Sequence, residues 1–552
     1  MEPSQESNKM IIVDYFSGET SQPKLSPQET KDRGLTDSPT EILPNLPSKI
    51  KEQKEQISIL YQKIQAKTKK NKGCSQDEFF TKNRHYFIMT DGGLPVYSRY
   101  GDEVELNGIF ATLSAMITKY TVFLSTNNNK EELNYIVNER GILVFLKKNQ
   151  LIFMALSKKG DSISLLMSQL EYLYKQLMSI LTNQFFERLK DNPSRCLTAM
   201  SGTDILFEQI IKFTSHTMVS LFNSYQVLPT NNRDKINKIC EENRGDALLC
   251  VVLTPNEIVG ISHLNSIQVD ASDIILLQNL IFSSPSLRIT ESWVPFCMPG
   301  ISEDGYLQLY CHFSDENIGV CLVTESVDPE LFMKFSEQYK EINAKLMEGN
   351  FIDKIIQAQQ KMSKSNKMQK NLNELTDDEL IDELLSKLDI ENDKNNLLEN
   401  SKLSKTMVNI PNKPMKSMTV TNVAHQQMMS EMIMKDIIYG ICKNTKMNQY
   451  FLINFHNSFH ELTSAEKNLY KEYHLLLDKL EESNKNEENN KEKDFFHIEK
   501  GEIYTNVIQY SQHFLCIFSF NFFMGIEEIG KKMKEITKHI KDNENHYFII
   551  FK

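Results

Sequence analysis

The chain runs to 552 residues with a formal net charge of −11, 40% hydrophobic and 24% charged residues. That length exceeds what one hydrophobic core can serve and implies roughly two to four domains of ordinary soluble composition. The acidic balance argues against a general nucleic-acid binder, which needs a basic face to neutralise phosphates.

Residues 1–83 are rich in Ser, Pro, Gln, Lys and Glu and read as a disordered tail. One stretch within it, 51–70, sets Ile57, Leu60, Tyr61 and Ile64 at helical spacing on a Lys-rich background. It reads either as a transient helix or as an amphipathic element that packs on a partner or a membrane surface. The start has no basic segment followed by a long apolar one, and no window holds the eighteen or so apolar residues of a spanning helix. The expectation is a cytosolic protein whose membrane contact is peripheral.

Three folded regions follow, expected at 84–225, 245–347 and 426–552. In the first, HYFIMT and PVYSRY are strands joined at Asp91-Gly92-Gly93. A helix from Asp102, its cap, to about Tyr120 gathers Leu106, Ile109, Phe110, Leu113 and Ile117 on one face. LNYIVNER, ILVFLKKN and LIFMALSK then form a meander, closed by a helix over 162–183 and followed by a helical stretch near 204–222. The second region repeats this grammar with a hairpin at 247–264, a helix at 270–282, three strands, and a helix over 328–346 opened by Asp328 and Pro329. The third repeats it again from about 432, with a helix over 463–480 capped by Thr463 and a Lys-rich helix at 526–540. The shared order is ββ-α-βββ-α, an α/β (α+β) class with antiparallel sheets and flanking helices. Between the second and third regions lies a polar linker, 348–425, in which TDDELIDELLSKL carries capping-box spacing at Thr376 and Glu379. A short solvated helix and a docking peptide are both open there.

Signatures of chemistry are scarce. GxxxxGK[ST], GxGxxG after a strand, GxSxG and HExxH are missing from the sequence, so no catalytic residue, metal or cofactor is expected. His456 and His460 are an i, i+4 pair between a strand and a helix cap, without a third ligand nearby in sequence. Nine cysteines are scattered without a CxxC pair, several in apolar runs such as Cys250 and Cys516, so buried thiols are expected over a disulfide framework. Interaction surface stands out more. Trp293, the only tryptophan, lies in a polar-bounded strand with Pro295 and reads equally as a contact anchor or a core residue. Lys531, Lys532, Lys534 and Lys538 crowd the last helix as a solvated face or a patch for anionic lipid.

The blocks FIMTDGGLPVYSRYGDEVELNGIFATLSAMI (87–117), ALLCVVLTPNEIVGISH (247–263) and IFSSPSLRITESWVPFCMPGISEDGYLQLY (281–310) resemble the vacuolar fusion proteins of the Mon-one family. The similarity is strong over 84–346 and weaker over 432–552. The resemblance implies three longin domains, a heterodimer with a Ccz-like longin protein, and guanine-nucleotide exchange on a late-endosomal Rab GTPase. It implies recruitment by an early-endosomal Rab and an anionic phosphoinositide membrane surface at late endosomes and the vacuole or lysosome, in endosome maturation, autophagy and vesicle fusion. It further implies that Tyr97, Arg99, Tyr100, Gly101, Asp102 and Glu103 help to build the partner- and Rab-facing surface of the first domain, against a folding role for Gly101 and Asp102. It favours Trp293 as a docking point for the recruiting Rab. A longin-type coat, tether or scaffold subunit without exchange activity is the competing reading, because a fold does not fix a function.

Overall fold

A computed structural model describes residues 62, 66–125, 133–158, 160–189, 203–254, 257–284, 286–289, 291–314, 318–359, 436–453, 464–485, 495–501, 504–511 and 513–550. The amphipathic stripe at 57–64, the capping box at 376–388, the His456 and His460 pair and the Thr463 cap lie outside these residues.

The first unit opens with helix α1 (Gln76–Thr81) and strands β1 (Arg84–Thr90) and β2 (Pro95–Ser98). Helix α2 (Asn107–Ser125) leads to strands β3 (Tyr135–Val137), β4 (Gly141–Lys148) and β5 (Leu151–Lys158), and helix α3 (Ile163–Leu189) closes the unit. Asn149 and Gln150 sit at φ 46° and 65°, so the β4–β5 hairpin turns on two left-handed residues, the geometry that matches strand twist. Helices α4 (Asp204–His216) and α5 (Arg233–Asn243) and a two-residue strand β6 (Tyr225–Gln226) connect to the second unit. That unit holds β7 (Leu249–Leu253), β8 (Ile258–His263), α6 (Ala271–Ser283), β9 (Ser292–Phe296), β10 (Leu307–Phe313), β11 (Gly319–Thr324) and α7 (Glu330–Glu348). The third holds β12 (Tyr439–Asn444), β13 (Gln449–Ile453), α8 (Ser464–Lys485), β14 (Phe495–Lys500), β15 (Tyr504–Ser511), β16 (Phe514–Asn521) and α9 (Ile526–Asp542).

The three sheets share one strand order: β2-β1-β5-β4-β3, β8-β7-β11-β10-β9, and β13-β12-β16-β15-β14, with β6 added beside β13. In each, the strand that follows the first helix (β3, β9 or β14) is a sheet edge.

Alternation along the strands sorts side chains to two buried faces. On β1, Tyr86 and Ile88 face a large central cluster, whereas Phe87 and Met89 face the α2 side with Phe110. All three units contribute to the central cluster through one helix each: α3 (Leu166, Leu173), α6 (Ile274, Leu277) and α8 (Leu469, Tyr473). The remaining helices cover the outer faces: α2 in the first unit, α7 in the second (Phe335, Ile342) and α9 in the third (Met533, Ile536). The first unit therefore turns its closing helix inward, while the other two turn their first helix inward.

Short segments stitch the units. Tyr225 and Gln226 pair in parallel with Gln449 and Tyr450, and the next residue, Val227, bridges to Ile258 on β8. Arg233, fully buried, donates to the carbonyls of Val259 and Leu228, and burial pushes its guanidinium down to about 9. Gly260 on β8 makes room for α5, since a Cβ there would lie 2.8 Å from Ile236 Cγ2. At the far end of α3, Thr182 breaks the helix at φ 60°, and the Asn183 N–H donates to the Glu303 carbonyl of the second unit at 2.8 Å.

Several expectations need correction. The disordered reading of 1–83 fails over 66–83, where residues 66–72 and α1 are helical. Ser75 caps α1, and Phe79 is buried beside Phe87 and Phe110, apolar burial that the composition of the tail concealed. Likewise the linker cannot begin at 348, because residues 351–359 are helical and Phe351, Ile352 and Ile355 enter the second unit's core. The helix expected from Asp102 starts at Asn107, and the Asp102 carboxylate instead accepts the Val104 N–H of the preceding turn at 2.8 Å. The sequence reading also passed over β6, α5 and β14. Eight of the cysteines are described, all as free thiols, and seven of these are buried.

Candidate partner interface

The segment 97–103 turns mostly inward. Arg99 meets Glu208 of α4 through two hydrogen bonds, 2.9 Å from Nε and 3.0 Å from the guanidinium NH2, while its backbone N–H donates to the Tyr86 carbonyl. Burial disfavours the charged guanidinium, but the Glu208 carboxylate outweighs it and holds the Arg99 pKa above its ordinary value. Tyr97 is buried edge-on against Phe207, its hydroxyl raised well above the usual range by burial and then by Glu208. Gly101 stands at φ 77°, with Leu106 Cδ1 3.2 Å from where a Cβ would be, and its N–H donates to the Asn71 carbonyl. Glu103 accepts the Ser98 N–H at 2.8 Å and pairs with Lys72. Tyr100 is half-buried under the Arg99 guanidinium. Of the six residues expected to face a partner, Asp102 alone is exposed. The segment ties α4 and the 66–72 helix to the first sheet.

The first unit offers a different surface. Tyr135 and Val137 on edge strand β3 are 51% and 54% exposed, and Val104 and Tyr120 are exposed at the two ends of the α2 region. Along α2, Ile109, Leu113, Met116 and Ile117 are only partly covered. Sequence reasoning took this helix and this strand as core elements. The signal it could have weighed is the shortness of β3 together with its apolar residues at both outward positions.

Trp293 and Pro295 lie two residues apart on edge strand β9, so they project to the same side of the sheet. Pro295 is exposed, whereas Trp293 is half-buried with its ring 5.7 Å from Phe335 and 6.2 Å from Phe332. Proline on β9 removes a donor from the edge, which discourages strand addition there. Of the α9 lysines, Lys531, Lys534 and Lys538 are exposed, and Lys532 pairs with Asp436 at 2.8 Å. Glu527, Glu528 and Glu535 share that helix, so its outer face is mixed in charge. Among the described residues no helix is long and apolar enough to cross a membrane.

Tandem five-stranded units with this order and flanking helices define a multi-longin-domain protein. Residues 84–210 match the family model described as the first longin domain of FUZ, MON1 and HPS1, and residues 246–343 match the second. A vacuolar fusion protein MON1 homolog of Oryza sativa is 28% identical over 275 residues, covering 49% of this chain and 47% of that protein. The Arabidopsis thaliana homolog is likewise 28% identical, covering 49% of this chain and 44% of its own length. MON1 homolog A of Homo sapiens is 26% identical over 261 residues, 46% of this chain and 39% of that one. The chain is similar to the MON1 family over these longin domains, as the resemblance at 87–117 and 247–310 implied. It spans about half the length of the curated relatives it matches. The third unit lies outside both matched spans and is related to the others here by its strand order.

Proposed function

We propose that the chain acts in vacuolar fusion and membrane trafficking as one subunit of a heterodimeric guanine-nucleotide exchange factor for a late-endosomal Rab GTPase. The observation that carries this reading is the pair of longin domains matched in tandem to those of FUZ, MON1 and HPS1, together with the similarity to MON1 homologs. The β3 edge and the partly covered α2 face supply an apolar surface suited to a second longin protein of the Ccz type. Exchange requires only that the assembled surface bind the nucleotide-free Rab more tightly than the nucleotide-bound one. Pro295 and the outer edge of Trp293 are the point at which an early-endosomal Rab docks. Lys531, Lys534 and Lys538 contribute to contact with an anionic phosphoinositide surface, at the late endosome and the vacuole or lysosome.

Release of a fluorescent GDP analogue from the late-endosomal Rab tests the reading, with the chain alone and with its Ccz-like partner. Acceleration by the pair and not by either subunit is the expected result. A pair that forms and binds the Rab without accelerating release would instead make the protein a tether or scaffold.

A further inference from the structure

A cleft of about 720 Å³ lies between the first sheet and the start of α8 in the third unit. Eight of its lining residues are lysine or arginine, against one carboxylate, Asp161. The overall charge of the chain is −11, so this cluster is a local concentration and not part of a generally basic surface. The two arginines are committed within the protein. Arg84 holds Asp161 through bonds of 2.6 and 2.8 Å, and Arg99 holds Glu208. Lys471 reaches Asp161 only at 3.9 Å, and that carboxylate already accepts from Arg84 and Ser157. The wall then carries Lys82, Lys158 and Lys467 as further positive charge, on segments that come from both units. Two buried histidines register the field: His85 is pushed down to about 4 by burial and then by Arg99, Lys158 and Lys82, and His474 to about 3 by burial and then by Arg84.

Like charges gathered around one concave space repel, and the repulsion is relieved by a ligand with several negative groups at similar spacing. A lone phosphate would meet too few of these ammonium groups, and lysines on flexible stems suit phosphate as point charges. The volume falls within the range of about 300–1,000 Å³ usual for small-ligand sites. We propose that this cleft binds a compact, multiply phosphorylated anion of the inositol polyphosphate class, which bridges β5 and α8 and locks the third unit against the first. The proposal rests on the fold and is independent of the exchange reading.

Inositol hexakisphosphate is the probe, titrated calorimetrically into the full chain at physiological ionic strength. Saturable binding of one probe per chain is expected, with a rise in melting temperature that sodium phosphate at equal ionic strength does not reproduce. Lys467→Glu with Lys471→Glu should weaken binding about tenfold or more. Lys334→Glu with Lys340→Glu on α7, exposed and outside the cleft, should leave it unchanged. Should the first pair fail to fold, Lys82→Gln with Lys158→Gln serves the same purpose. Vesicles of phosphatidylcholine with and without phosphatidylinositol bisphosphate separate the sources. Capture that the cleft variants abolish and the soluble probe competes away assigns the site to a lipid headgroup, and soluble binding without capture assigns it to a free ligand. Absence of saturable binding, equal binding of inorganic phosphate, or affinity indifferent to the cleft variants would overturn the proposal.

Discussion

Arg99 shows how a residue in a recognisable motif can serve the fold. Its guanidinium and the Glu208 carboxylate are 14% and 3% exposed, and they join β2 to α4 across more than a hundred residues of chain. Removing one partner of such a pair leaves the other charge buried and uncompensated, at a cost of about 3–5 kcal/mol. Arg99→Ala should therefore lower the unfolding free energy read from a urea titration by that order, and Arg99→Met combined with Glu208→Leu should recover most of the loss. Assembly with the proposed longin partner, measured by size exclusion well below the melting temperature, should survive Arg99→Ala. The opposite pattern, normal stability with lost assembly, would return the guanidinium to the partner surface.

In the proposed heterodimer an edge strand carries the partner contact. An exposed edge with apolar side chains invites pairing, and β3 presents Tyr135 and Val137 outward. Tyr135→Lys with Val137→Lys should change stability by no more than about 1 kcal/mol, as expected of surface sites, and should abolish co-elution with the Ccz-like partner. Persistent co-elution would move the contact to another face of the first unit. How much of these elements could be read in advance depended on locality. The LIFMALSK run coincides with β5, and Ile109, Phe110, Leu113 and Ile117 do line one face of α2, because strand and helix periods are local. Strand β6 is two residues long and pairs with Gln449 and Tyr450, more than two hundred residues away, so no window contains its cause. Strand β14 follows a run of Asn, Glu and Lys, and Phe496, exposed on it, disguises the alternation. For the site, the motif at 97–103 was visible, but its inward direction was not: that depends on Glu208, Asn71 and Lys72, whose positions only the packing supplies.

At the scale of the whole molecule, the three units share one buried layer of helices, so they should unfold together and respond to acid together. His85 belongs to the first sheet and His474 to α8 of the third unit, and burial holds both neutral, at about 4 and about 3. Both folded-state values lie below the ordinary 6.5, so below that pH the unfolded chain binds protons that the folded chain refuses. Stability linked to these two groups is complete above pH 6.5 and falls as the pH drops toward 4, by about 1.4 kcal/mol per pH unit for each proton taken up. Denaturant titrations across that window should give a slope near two protons from this pair alone. His474→Phe keeps a ring beside Tyr470, 4.7 Å from the histidine ring, and gives up only a long 3.5 Å contact with Ser220. That variant should flatten the slope by about one proton while leaving stability above neutrality nearly unchanged. An undiminished slope would mean that His474 already titrates freely in the folded chain, and hence that α8 does not seal against the first unit. A single transition that splits in two on acidification would say the same of the shared layer as a whole.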